Sequence, residues 1–132
     1  MLLASGINFI LDALQSKIDN LTSSGLYVGL ITDNYITPET TSITEVTGIS
    51  YTRQVSTNWN KTDDYLEGDM ISFTPGTSGW LDVNGYFISD DETNLTPLWS
   101  QMLPLTERGD KEEGHVIYIT PRYYQRAHDY NN

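Results

Sequence analysis

Leu26-Tyr27-Val28-Gly29-Leu30-Ile31-Thr32 decides how this chain folds. Apolar residues rich in branched side chains, closed by the turn-prone Asp33-Asn34, read as a β-strand, and a run this apolar reads as one placed centrally in its sheet. N-terminal to it the signal is different. Ile7, Leu11, Leu14, Ile18 and Leu21 recur in alternating steps of four and three, while Asn8, Asp12, Gln15 and Asp19 point away. That spacing predicts one amphipathic helix over residues 3–21, ended by Thr22-Ser23-Ser24-Gly25. Its apolar stripe either packs on the protein's own sheet or bundles with copies of itself, and the stretch is too short to decide between them.

C-terminal to the strand the period stays near two. Residues 33–48, rich in Thr, Ser and Glu and broken by Pro38, read as an exposed excursion with little core to offer. Tyr51 to Thr57 alternates, placing Tyr51, Arg53, Val55 and Thr57 on one face. Residues 58–68 read as a polar connection. Strands follow at 69–74, in two pieces within 79–89, at 98–103 and at 115–120, the last two separated by a charged loop at 107–114. Many short strands bounded by turn residues predict a mainly β fold, an antiparallel β-sandwich or barrel-like domain with one N-terminal amphipathic α-helix. The expected domain spans residues 1–121, and residues 122–132 read as a C-terminal arm.

Composition narrows the function classes. At 132 residues one domain is expected. The absence of Cys excludes disulfides, thiolate metal sites and cysteine nucleophiles. Eighteen acidic against seven basic residues give a formal charge of -11, a field that repels nucleic acid and anionic membrane surfaces, so neither is an expected partner. No apolar run is long enough to span a membrane as a helix, and no signal peptide is read at the N-terminus. The Asn-x-Thr sequons at Asn20, Asn60 and Asn94 read as chance matches.

The search for chemistry returns little. His115 and His128 are the only imidazoles, and neither accompanies a nucleophile motif. Asp64 and Glu67 are candidate carboxylates for glycoside hydrolysis, but eighteen acids make some such pairing inevitable. Neither the acidic stretch at 63–69 nor that at 90–92 has calcium-loop spacing. The expectation is a non-enzymatic chain with no cofactor and no metal. Adhesive material is present instead: Arg122, Tyr123, Tyr124, Arg126 and Tyr130 are types enriched at protein interfaces. These five are the candidate interface residues. The arm carrying them either folds back on its own acids or reaches an acidic patch on a neighbour.

A leading helix, then Leu26-Tyr27-Val28-Gly29-Leu30, then Thr44-Glu45-Val46-Thr47-Gly48-Ile49-Ser50-Tyr51-Thr52-Arg53-Gln54, then Ile71-Ser72-Phe73-Thr74 and Gly79-Trp80 resembles a family of small tailed-bacteriophage virion structural proteins. The resemblance covers roughly residues 3–103, and residues 44–54 are its most specific part. It implies a tail-fibre-like or capsid decoration role without an active site. Within it Gly48 would permit a tight turn, Tyr51 would bury its ring, and Arg53 would pair with an acid or with carbonyls near a strand edge, or else stand as an exposed strand residue. After Met102 the chain departs from the family pattern, so attachment and partner do not carry over.

The resulting expectation is a virion protein, assembled in the bacterial host cytoplasm, that decorates or cements the capsid. Its partners would be the major capsid protein or other virion proteins, with self-association. A tail fibre, neck or baseplate role is the near alternative. A glycan-binding module stacking sugars on Trp59, Trp80 or Trp99 is the more distant one.

Overall fold

The computed structural model describes residues 25–36, 42–62, 65–89, 92–93 and 97–124. Among them, eleven strands follow in chain order: β1 (Leu26–Ile31), β2 (Gln54–Ser56), β3 (Asn60–Lys61), β4 (Tyr65–Glu67), β5 (Ile71–Phe73), β6 (Trp80–Val83), β7 (Gly85–Ser89), β8 (Trp99–Met102), β9 (Gly109–Lys111), β10 (Ile117–Ile119) and β11 (Arg122–Tyr124). Every strand pairing is antiparallel. The fold is therefore mainly β. The helix expected over residues 3–21 lies outside the described residues.

The largest sheet has the order β2-β1-β7-β8. Its apolar strand β1 is internal, as its sequence requires. The neighbour of β1 changes along its length: Leu26 to Val28 face β2, whereas Val46 N–H donates to the Leu30 carbonyl and Thr32 N–H to that of Thr44, each at 2.9 Å. Three smaller sheets, β10-β5, β11-β4-β3 and β6-β9, complete the strand pairing. Backbone bonds from Asp69 N–H to the Thr57 carbonyl at 2.9 Å and from Gly68 N–H to that of Pro121 at 3.0 Å link the strand pairs. Residues 65–73 thus run against 117–124 as one long ladder. Its register slips once, since Glu67 faces Arg122 while Ile71 faces Ile119; such a bulge bends a strand pair.

All four sheets contribute to one core, with Leu30, Leu66, Phe73, Trp80, Ile88 and Ile117 among its members. A second cluster forms where Ile31 of β1, Phe87 of β7 and Met102 of β8 meet Ile36 and Ile43. The excursion at 33–48 accordingly needs correction. Ile36 and Ile43 are buried there, and Val46 joins the main core. All five residues of β7 are buried, as expected for a strand covered on both faces.

Three further segments differ from the sequence reading. The polar connection at 58–68 contains the β3–β4 pairing, anchored by the fully buried Leu66. The charged loop at 107–114 contains β9, which pairs with β6 although it has no apolar side chain. The Asp110 carboxylate accepts the Asp82 N–H at 2.9 Å, where the left-handed Asp82 (φ 53°) accompanies an irregular β6–β9 register. Finally, the expected arm does not begin at residue 122, because Arg122–Tyr124 form β11 against β4.

Candidate functional site

Two regions collect the residues with functional interest. The first grows from the point where β1 changes neighbour. Leu30 N–H has no strand carbonyl opposite it there, and the Tyr51 hydroxyl accepts it at 2.9 Å. That hydroxyl donates to Glu45 Oε2 at 2.5 Å. Arg53 grips the same carboxylate with two prongs, Nε to Oε2 at 2.9 Å and Nη2 to Oε1 at 3.0 Å, and lies 4.7 Å over the Phe87 ring. Its side chain is 4% exposed, against 19% for Glu45. Arg53 is therefore no exposed strand residue. Paired, forked and laid on an aromatic face, it meets the conditions under which a guanidinium tolerates burial.

Tyr51 and Arg53 do not share a face as simple alternation predicts. Tyr51 stacks 6.3 Å from Phe73 and takes the Trp80 edge at 5.4 Å, all in the main core, whereas Arg53 covers Phe87 in the second cluster. Residues 51–53 precede the strand pairing of β2, so the two-residue period does not govern them. The tight turn closes with Tyr51 N–H on the Gly48 carbonyl at 3.2 Å, and its left-handed residue is Ser50 (φ 69°). Gly48 also lies at positive φ (154°), a backbone that side chains rarely adopt, and a Cβ there would run into the Trp80 ring. Trp80 Nε1–H in turn donates to the Ile49 carbonyl at 3.0 Å. At Gly29 a Cβ would collide with both the Phe87 ring and the Tyr51 hydroxyl. Residues 29–30, 45–53, 73 and 80 thus meet in a single interlocked cluster.

A cavity of about 450 Å³ adjoins this cluster, lined by Tyr27, Glu45, Arg53 and Glu92 among others. Both oxygens of Glu45 are already engaged by Arg53 and Tyr51. Burial, and secondarily the hydrogen bond to Glu45, push the Tyr51 phenol well above its ordinary value. It stays a proton donor in the folded state while the unfolded chain releases that proton near pH 10. Around and above pH 10 the unfolded form binds fewer protons, so stability falls as pH rises, with a slope that steepens toward about 1.4 kcal/mol per pH unit from this group alone. Urea titrations between pH 9 and pH 11 should show little change at pH 9 and a steepening fall past pH 10, and Tyr51→Phe should remove it. An unchanged slope in that variant would assign alkaline loss to other tyrosines.

The second region is the seam between β8 and the β10–β11 strand. At one end it is bridged. The Tyr86 hydroxyl accepts the Arg122 N–H at 3.2 Å and lies 3.3 Å from Gln101 Oε1, and the Trp99 and Tyr123 rings are 5.4 Å apart. Toward the other end it opens into adjoining grooves of about 290 and 350 Å³, both lined by Leu103 and Tyr118. Leu105 is 79% exposed, Tyr118 65% and Val116 37%. The alternation Val116-Ile117-Tyr118-Ile119 was the available sequence signal, since Ile117 and Ile119 are buried and the other two project outward.

The remaining sequence candidates fall as follows. Arg122 Nε binds Glu67 Oε2 at 2.6 Å, and its guanidinium lies 5.1 Å over the Tyr65 ring, so the start of the arm folds onto its own chain. Tyr123 packs against the main core, and the backbone of Tyr124 pairs with Tyr65. Arg126 and Tyr130 lie outside the described residues, as do Asp64 and His128. Glu67 is committed to Arg122, and His115 is exposed at the seam groove. Trp59, Trp80 and Trp99 are all buried, which removes the stacking platform of the glycan reading. Among the described residues no three His, Cys, Asp or Glu side chains converge to hold a metal.

Comparison with protein-family models, with curated proteins and with solved structures returns no match.

Proposed function

We propose that this chain is a non-enzymatic structural subunit of a tailed-phage particle, a capsid decoration or cement protein that bridges neighbouring capsid proteins. The observation that carries the reading is the exposed apolar rim of the seam, Val116 and Tyr118 beside a strand edge that no described strand covers, with Leu105 exposed between the groove-lining Pro104 and Thr106, on a body whose most distinctive motif residues are spent on its own rigidity. Such a surface suits protein contact, and repetition over a lattice compounds modest contacts into firm attachment. The resemblance of residues 26–30, 44–54, 71–74 and 79–80 to small virion proteins supports the same class. In this reading the four sheets form one barrel-like wall, curled through the links at Asp69 and Gly68, with no pairing between β8 and β10 among the described residues.

A subunit that binds the assembled shell and not its free components stabilises the shell by mass action. Quantitative mass spectrometry of purified particles should find the chain in many copies, at a fixed ratio to the major capsid protein. A few copies per particle would move it to the tail, neck or baseplate. Complete absence from particles would end the virion reading.

A further inference from the structure

We propose that Asn84-Gly85 is a self-modification site that the fold holds shut: the carboxamide deamidates in chains that open there, and the product keeps those chains from closing again. It is the only Asn-Gly step in the sequence. Such a step is chemically labile, because glycine has no side chain to keep its backbone nitrogen away from the preceding carboxamide. The Gly85 nitrogen attacks Asn84 Cγ and a succinimide ring closes through the new N–Cγ bond. The Cγ–Nδ2 bond breaks, and ammonia leaves with the proton that the Gly85 nitrogen gives up. Water then opens the ring at either carbonyl, leaving aspartate or isoaspartate. The chemistry needs no partner and is independent of the assembly role.

Packing explains why so labile a pair stands here. Asn84 joins β6 to β7 and is 4% exposed. Its Nδ2, the leaving group, donates to the Thr32 carbonyl at 2.8 Å and to Asn34 Oδ1 at 2.9 Å, which uses both of its hydrogens. The backbone is held as well: Asn84 N–H donates to the Ile31 carbonyl at 3.0 Å, and Leu103 N–H donates to the Asn84 carbonyl at 2.8 Å. Gly85 is paired on both sides, with Ile31 of β1 and Met102 of β8, and a Cβ there would meet the Gln101 carbonyl oxygen at 2.6 Å. Sheet spacing thus dictates the glycine, and two acceptors dictate the carboxamide. Ring closure requires the 84–85 peptide to leave this ladder, so the native chain reacts only through opening. A carboxylate in place of the carboxamide would face two oxygens with nothing to donate, and isoaspartate would lengthen the backbone within the ladder. Both oppose reclosure.

The full chain is incubated at mildly alkaline pH, folded and in concentrated urea, and residue 84 is followed by peptide mapping with isoaspartate detection. Conversion should be at least about tenfold slower in the folded chain than in urea. Asn34→Ala removes one of the two acceptors at the surface and should speed conversion of the folded chain about fivefold, with no effect in urea. Asn84→Asp, one of the two products made directly, should melt about 10 °C below the parent. The kinetic comparison uses the parent and Asn34→Ala alone, so it decides even where the aspartate variant does not fold. Equal rates in the two states, an Asn34→Ala rate equal to that of the parent, or an Asn84→Asp chain as stable as the parent would each overturn the proposal.

Discussion

Arg53→Ala should cost the fold about 3 kcal/mol, near the lower end of what breaking a buried ion pair costs because Glu45 keeps some solvent contact. The substitution removes both prongs on the carboxylate and uncovers Phe87. It leaves Glu45 charged in a partly dry site with only the Tyr51 hydroxyl as a named partner. For a chain of this size the melting temperature should drop by about 10 °C. The double variant Glu45→Gln with Arg53→Met separates pairing from packing. It retains an oxygen to accept the Tyr51 hydroxyl and an apolar stem over Phe87, and it should recover at least half of the loss. Strict additivity of the two single changes in urea unfolding would mean that the pair is not coupled.

Trp80→Ala should be comparably severe, about 3 to 5 kcal/mol, as for other large-to-small changes at an aromatic core position. The indole is 1% exposed, contacts the Tyr51 ring edge-on, fills the space that Gly48 leaves open, and holds the Ile49 carbonyl. Its loss therefore opens a cavity and releases the turn that delivers Tyr51 to β1. Trp80→Phe keeps part of the volume but not the donor, so it should fall between the parent and the alanine variant. Equal stability of the phenylalanine variant and the parent, by denaturant midpoint, would show that the bond to Ile49 contributes nothing. Since single domains are stable by only about 5 to 15 kcal/mol, either alanine change removes a large share of the total.

How far these features were readable in the residues varied with how local they are. The central place of β1 follows from an uninterrupted apolar run, and most of the later strands follow from alternation between turn residues. Ile36 and Ile43 escaped because each stands isolated among polar neighbours. Their burial depends on the chain folding back over Ile31, Phe87 and Met102, a contact that no local period encodes. β9 escaped for a related reason, since it contributes backbone pairing and almost no apolar surface. At Arg53 the residue type signalled a need for compensation, yet the partner lies eight positions upstream in a stretch that reads as exposed. The seam was least legible of all. A strand such as β10 announces its buried face through Ile117 and Ile119, but whether its outer edge is taken depends on where every other strand goes.

The long ladder between residues 65–73 and 117–124 bears on how the polypeptide is made. During synthesis β4 and β5 emerge well before the segment that will lie alongside them, so a nascent chain must wait with Leu66 and Phe73 uncovered on that flank. Loop closure over so many residues is slow, and an uncovered flank of this kind invites pairing with other nascent chains. A premature stop just before Ile117 would make that waiting state permanent, giving a product that accumulates in inclusion bodies although it retains every residue of the Glu45–Arg53 cluster.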